Sequence, residues 1–390
     1  MFFSLSKEPC YKFPNNYQFG SVYLNVDNGW TTTTIDNATV VYKGYLHDAK
    51  IEQALTTNVP TYDGNFCAFK FNGNSIEFFH SLYRTFPIYY GNGFTNLYFD
   101  KTTDTVLHAT SYLLPFTDEF KFEFDKVDYG TVNLEIKTED EVVEKIYRIL
   151  YDKIEKFLKN NKLPLRAFLT GGIDSMLVYS FVKKITKDVE IVDYYHYDLD
   201  EFCCKNKDYI KNNYWAYNQI HHWKEPCILL SGTPGDEFML RAPTTSNMYL
   251  LNQGTSIPKL IENSNHLLTE YFKKDANLKL FAEQEKDKLT NILVKHKKFL
   301  YTKMCDIVLE DFQHWHIGNT LTFTPLRDLE IFKLFLQLPF DSAVSQILDS
   351  TISKRLIAMN DPNLIGFLSS SKNKESLSNM WKFYHLELVR

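Results

Sequence analysis

The chain lacks most of the features that assign a sequence to a specialised class at sight. Its six cysteines, Cys10, Cys67, Cys203, Cys204, Cys227 and Cys305, form no CxxC pair, and no histidine cluster has zinc-finger spacing. That leaves no basis for a small structural zinc site and fits free thiols in a reducing cytoplasm. No apolar run approaches the roughly 20 residues that span a bilayer, so no membrane partner is expected. The opening MFFSLSKEPC has neither a basic n-region nor the apolar stretch of a signal peptide. Charge of one sign is also missing: 43 Lys+Arg face 48 Asp+Glu, and a net charge of −5 gives no overall attraction to nucleic acid or an anionic membrane. There is no internal repeat and no low-complexity segment.

At 390 residues the chain is long enough for a large core divided between two domains. Its aromatic residues are spread over both halves, the distribution of core and strand residues and not of one stacking platform. Residues 1–130 read as a β-rich domain. "NFCAFKFNGNSIEFFHSL" is two strand-like runs joined at Asn72-Gly73, a type I′ hairpin signal. "ATVVYKGYL" before it and "FPIYYGNGFTNLYFD" after it are rich in β-branched and aromatic residues, so an antiparallel sheet is expected.

The pattern changes near residue 138, and 131–390 reads as a second domain. Val142, Val143, Ile146, Ile149, Leu150, Ile154, Phe157 and Leu158 recur at helical spacing. Three short apolar strands, Leu165–Leu169, Val189–Tyr195 and Cys227–Leu230, then alternate with helical stretches, the rhythm of a parallel sheet with crossover helices. From about 256 onward the chain reads mostly helical, including "LRDLEIFKLFLQLP", which should stop at Pro339.

Within this domain, "AFLTGGIDSMLVYSF" reads as strand, tight loop, helix. A helix start offers free N–H groups and partial positive charge, which favour an anion. Gly171 and Gly172 let the backbone approach a phosphate, while Thr170 and Ser175 supply hydroxyls, Ser175 also as a cap for the helix. Asp174 repels a phosphate directly but fits one if Mg²⁺ lies between them. A plain strand-to-helix turn would use the same residue types, and the loop is neither GxxxxGK[ST] nor GxGxxG. The third apolar strand also ends in a small-residue loop, "CILLSGTPGDEFMLRAP", with Ser231, Gly232, Pro234 and Gly235 followed at once by Asp236 and Glu237. Open parallel sheets bind ligands at the carboxyl ends of their strands, so two such loops facing one nucleotide and one metal is the sharper reading. His196, His221, His222, His314 and His316 have the spacing of no familiar metal site and read as surface or core residues.

On these residues the chain resembles the asparagine synthetase and β-lactam synthetase branch of the ATP-pyrophosphatase superfamily. "LTGGIDS" resembles the SGGxDS pyrophosphate loop, and "LSGTPGDEF" the strand followed by SGxGxDE. "TFTPLRDLEIFKLFLQLP" is similar to the branch's PFLD…A..LP helix, "ISKRLIA" to its K-x-x-L-R segment and "KNKESL" to its R-x-K-E-x-F. "YDGNFCAFKFNGNSIEFFHSLYRTFPIYYG" is similar to strands of the branch's amidotransferase domain.

The resemblance implies an antiparallel Ntn-hydrolase-like domain, then a parallel-sheet adenine-nucleotide α-hydrolase-like domain with a helical C-terminal part. It implies a cytoplasmic, AMP-forming carbon–nitrogen ligase using ATP and Mg²⁺, which joins a small-molecule or peptide carboxylate to ammonia or another amine and can form a homo-oligomer. Asp174 and Asp236 match the metal-binding aspartates; Thr170, Gly171, Gly172 and Ser175 match the pyrophosphate loop; Ser231 and Gly232 line the nucleotide. Lys374 matches the lysine that stabilises the transition state, with Lys372 as its rival and Lys354 and Arg355 as further phosphate contacts.

The chain also departs from the pattern. It starts Met1-Phe2-Phe3-Ser4 where a glutaminase has a terminal cysteine, Cys10 is followed by Tyr11, and "YKGYLH" stands in place of N-G-E-x-Y-N, so no glutaminase activity is expected. Thr233 and Pro234 replace residues of the second loop, which leaves the amine acceptor open. Two alternatives remain: an adenylating enzyme that modifies a nucleobase or RNA, and a nucleotide-binding relative without turnover.

Overall fold

The computed structural model describes residues 3–10, 13–56, 63–73, 75–81, 88–90, 94–95, 104–105, 111–115, 135–168, 172–192, 225–232, 234–241, 245 and 319–368. Over these residues the protein is a mixed α/β structure with two antiparallel sheets and one parallel sheet.

The antiparallel part holds β1 (Phe3–Ser6), β2 (Asn15–Phe19), β3 (Val22–Val26), β4 (Thr31–Ile35), β5 (Ala38–Leu46), α1 (Ile51–Thr56), β6 (Gly64–Asn72), β7 (Ser75–His80), β8 (Ile88–Tyr90), β9 (Phe94–Thr95), β10 (Asp104–Thr105) and β11 (Ser111–Pro115). One sheet has the order β10-β8-β9-β1-β3-β2 and the other β11-β7-β6-β5-β4. They pack face to face through aromatic side chains. Phe3 of the first sheet meets Phe69 and Phe78 of the second with ring centroids 5.1 and 5.5 Å apart. The opposite face of the second sheet is covered by α1, whose Ile51, Ala54 and Leu55 join Val40, Leu46, Phe66 and Ala68. The β4–β5 hairpin turns at Asp36 and Asn37, with φ of 50° and 65°. Asp and Asn tolerate this left-handed region better than other side chains, and two such residues in succession give the primed turn that follows strand twist.

The hairpin expected at Asn72-Gly73 forms one residue later. Asn72 pairs with Ser75, and Gly73 turns the chain at φ 61°. This register sets Phe71 opposite Ile76 and Phe69 opposite Phe78, all buried. A turn at 72–73 would set Phe71 against Asn74, so apolar pairing decides the register over the dipeptide preference.

The second part begins with α2 (Glu139–Asn160). Thr138 and Glu141 close its start reciprocally: the Thr138 hydroxyl accepts from the Glu141 N–H at 3.3 Å, and the Glu141 carboxylate accepts from the Thr138 N–H at 2.9 Å. Of the expected apolar stripe, Val142, Val143, Ile146, Leu150, Ile154 and Phe157 are buried, and Ile149 and Leu158 pack at its margin. There follow β12 (Leu165–Phe168), α3 (Ile173–Ile185), β13 (Val189–Val192), β14 (Cys227–Leu230), a single helical turn α4 (Gly235–Phe238), β15 (Thr320–Phe323), α5 (Leu329–Leu336), α6 (Phe340–Asp349), α7 (Thr351–Asn360) and a 3₁₀ segment at Pro362–Phe367. The four strands are parallel in the order β13-β12-β14-β15.

Among the described residues from 319 onward the chain is mostly helical, as expected, with the strand Thr320–Phe323 at the edge of the parallel sheet. The strand is short, but its Thr-Leu-Thr-Phe composition suits a place beside β14. The helix expected to stop at Pro339 ends at Leu336, with Gln337 as its cap, and Pro339 is the cap of α6. The residue before a proline avoids the helical region, so the chain must leave α5 before Leu338.

The antiparallel and parallel parts share a core through Tyr45 of β5. Its ring lies 4.7 Å from that of Phe157 and 5.6 Å from that of Phe323, and its hydroxyl accepts from the Thr324 N–H at 3.2 Å.

Candidate functional site

The site is built where β12 and β14 end. These strands are neighbours, with Leu165 beside Ile228 and Ala167 beside Leu230, so the segments that follow them leave the sheet side by side. After β12 the chain enters α3 with Gly172, which has no side chain to cap with, in the cap position at φ −70° and ψ 146°. Ser175 was expected as a capping residue and is not one. It lies inside the helix, and its hydroxyl donates back to the Gly172 carbonyl at 2.9 Å. Because the helix begins at Ile173, Ser175 sits one turn too late to occupy the cap. Asp174 is the second helical residue, where a carboxylate is favoured by the helix dipole.

After β14, the Ser231 N–H donates to the Phe323 carbonyl at 2.9 Å, and the Gly235 N–H donates to the Gly232 carbonyl at 2.9 Å. This tight turn leads into α4, which carries Asp236 and Glu237. Gly232 is buried against the first turn of α3: a Cβ there would lie 2.2 Å from the Asp174 carbonyl carbon and 2.3 Å from the Ser175 nitrogen. At Gly235 a Cβ would lie 2.7 Å from the Asp174 carboxyl carbon and 2.8 Å from a methyl carbon of Leu326. Backbone therefore meets backbone between the two loops, and only glycine permits that approach.

The consequence is that the Asp174 and Asp236 carboxylates converge, and they converge on Arg241. Its guanidinium donates to Asp174 Oδ1 through Nη1 and pairs with Asp236 Oδ1 through Nη2 at 2.8 Å. The Arg241 side chain is 5% exposed, Asp174 19% and Asp236 50%, so the bridge is enclosed at the arginine and open to solvent at Asp236. Burial works against the guanidinium charge, but Asp174 and Asp236, with Glu237 behind them, more than offset it and hold the group above its usual range. Arg241 reaches this place because the backbone doubles back: Leu240, fully buried, has φ 57°, and the Arg241 N–H donates to the Asp236 carbonyl at 2.7 Å. A buried side-chain amide anchors the same turn, with Gln346 Nε2 donating to the Met239 carbonyl at 3.2 Å.

A second buried charge lies at the junction of the two parts. Lys153 of α2 pairs with Asp328, the cap of α5, and with Asp63 at 3.3 Å. Burial alone would lower its pKa; Asp328 and Asp63 outweigh that and hold the ammonium above its usual value. His47 faces the same cluster, 3.8 Å from Asp63, and burial together with Lys153 and Lys156 keeps its imidazole well below its usual pKa.

Of the residues singled out from sequence, Gly172, Asp174, Ser175, Ser231, Gly232 and Asp236 come together in this region. Lys354 and Arg355 lie on α7, with Arg355 bound to Glu139 at 3.2 Å and Asp140 at 2.6 Å. Thr170, Gly171, Thr233, Lys372, Lys374 and the five histidines considered for a metal lie outside the described residues. Sequence reasoning passed over Arg241 and Lys153. The available signals were a lone cation in the apolar run FMLR after the acids of the second loop, and a lysine on the buried stripe of α2.

Among the described residues no group of three His, Cys, Asp or Glu side chains could hold a metal ion. Two carboxylates are nevertheless what Mg²⁺ commonly takes from protein when phosphate oxygens and water complete its shell. Asp174 and Asp236 fit that pattern, being hard oxygen donors close enough to share one cation. No family model matches the chain, and none of the curated proteins searched matches it.

Proposed function

We propose that this protein is an ATP-dependent, AMP-forming ligase of the asparagine synthetase type, in which an adenine-nucleotide α-hydrolase-like domain follows a retired Ntn-hydrolase-like one. The observation that carries the reading is the meeting of two loops, each at the carboxyl end of a parallel strand, with one aspartate from each brought to a single cation. That is the place where open α/β sheets take their ligands. α3 begins with Gly172 in the cap position at the end of β12, and a helix start favours an anion such as pyrophosphate through its dipole.

In this reading a substrate carboxylate oxygen attacks the α-phosphorus of ATP, and the bond to the β-phosphate oxygen breaks. An amine then attacks the acyl carbon and AMP leaves. Asp174 and Asp236 would hold a Mg²⁺ that, when bound, offsets charge on the departing pyrophosphate. Lys374 is the proposed transition-state cation, with Lys372 its alternative. The carboxylate is a small molecule or peptide, and the amine is ammonia or another amine supplied without glutamine hydrolysis.

The test is pyrophosphate release from ATP and Mg²⁺ with a panel of carboxylates. Asp174→Asn and Asp236→Asn should each reduce release at least about 100-fold, the order of effect of losing a transition-state charge contact. Full activity in both variants would refute the assignment. A second reading, a nucleotide-binding protein without turnover, is favoured by Arg241, which already neutralises both carboxylates. Calorimetric binding of ATP without pyrophosphate from any substrate would select it.

A further inference from the structure

The geometry points to Arg241 as an internal stand-in for the divalent cation: it holds Asp174 and Asp236 together in the free protein and must leave them when metal and nucleotide arrive. This rests on the proposed nucleotide site and adds to it a residue and a conformational step. Three observations carry it. The first is the bridge itself, one guanidinium shared by aspartates from separate loops. A cation placed between those oxygens and the guanidinium cannot share the space, and their charges repel. The second is asymmetry. The Asp236 side chain is half exposed and Asp174 largely enclosed, so a hydrated ion can approach from the Asp236 end. The third is the backbone. Leu240 is a buried non-glycine residue at φ 57°, a conformation that such side chains rarely adopt, and it is what turns Arg241 back to the carboxylates.

Two properties follow. Without nucleotide, divalent ions compete with a tethered cation at very high local concentration and bind poorly. With nucleotide, the phosphates supply further oxygen ligands to the metal and a new acceptor for the displaced guanidinium, so metal and nucleotide bind cooperatively. Arg241 is a positioning residue in this scheme: it keeps the loops together while the site is empty.

The experiment titrates MnCl₂ into the full chain and follows the free Mn²⁺ resonance, with and without α,β-methylene-ATP, for the wild type, Arg241→Lys and Arg241→Gln. Without nucleotide, Arg241→Gln should bind Mn²⁺ about tenfold or more tightly than the wild type, with Arg241→Lys between them because it keeps the charge and loses the fork. Adding Asp236→Asn to Arg241→Gln should abolish the gain. The analogue should bring the wild type close to the glutamine variant. Should the glutamine variant fail to fold, the lysine variant and the nucleotide dependence of the wild type decide. If the folded variants bind Mn²⁺ no more tightly than the wild type, while the wild type binds it with the analogue, the inference is overturned and the proposed function stands. If the variants gain Mn²⁺ affinity but no form binds the analogue, Arg241 stands as the occupant of a cation site, and the nucleotide reading fails together with the cooperative step built on it.

Discussion

Gly232→Ala isolates the contact on which the whole site depends. The new methyl carbon would be placed 2.2 Å from the Asp174 carbonyl carbon, 2.3 Å from the Ser175 nitrogen and 2.5 Å from the Asp174 carbonyl oxygen. Ordinary contact between such atoms begins near 3.4 Å, so about 1 Å of separation must be created. None of the three atoms belongs to a flexible side chain. All are backbone of the first turn of α3, held by the Met176 N–H bond to the Gly172 carbonyl at 3.1 Å and by the buried Ile173, Met176 and Leu177. Relief must come from moving one loop against the sheet, which also draws Asp236 away from Asp174. Overpacking of a well-filled site costs about 1–3 kcal/mol, and a clash with backbone belongs at the upper end, about 3 kcal/mol. Gly366 supplies the control, since a Cβ there has nothing within 4 Å. Gly366→Ala should change stability by less than about 1 kcal/mol and can even raise it. Urea unfolding of both variants measures the difference, and the Mn²⁺ titration reports whether the carboxylates still share a cation. Equal midpoints for the two variants would refute the claim that loop-to-loop backbone contact builds the site.

Lys153→Met should destabilise the protein by about 3 kcal/mol, because it leaves the buried Asp328 carboxylate without its cation while keeping most of the side-chain volume. Equilibrium unfolding measures this, and a loss under about 1 kcal/mol would show that the pair contributes little. His47 predicts an acid-side dependence. Its folded pKa is depressed by burial, Lys153 and Lys156, so below its ordinary value of about 6.5 the unfolded chain binds a proton that the folded chain refuses. Its contribution is therefore absent at high pH, and stability falls as pH drops below about 6.5, by up to about 1.4 kcal/mol per unit until the folded pKa is reached. Unfolding at pH 7.5 and 5.5 should show a shallower pH dependence for His47→Gln than for the wild type, and identical slopes would exclude the role.

The sequence alone determined the local elements with short-range causes. The helix over Glu139–Asn160 follows from its apolar period and the Thr138–Glu141 box, and β5 from a run rich in β-branched and aromatic residues. It also marked Asp174 and Asp236, because an acid after a small-residue loop at a strand end is visible in one dimension. Interactions over long separations were decided only by the tertiary structure. Thr320–Phe323 has a composition that suits a strand, but it is too short to be marked by that alone; it becomes one because β14, 93 residues away in sequence, offers it an edge. The hairpin at residue 73 takes its register from Phe71 against Ile76, not from the dipeptide at its turn. Arg241 reads in the sequence as one more cation after an apolar run; it becomes the centre of the site because two strands are neighbours and two glycines let their loops touch. Charge pairing of this kind depends on distance in space, and a linear pattern carries that information only when the partners lie within a helical turn or one hairpin of each other.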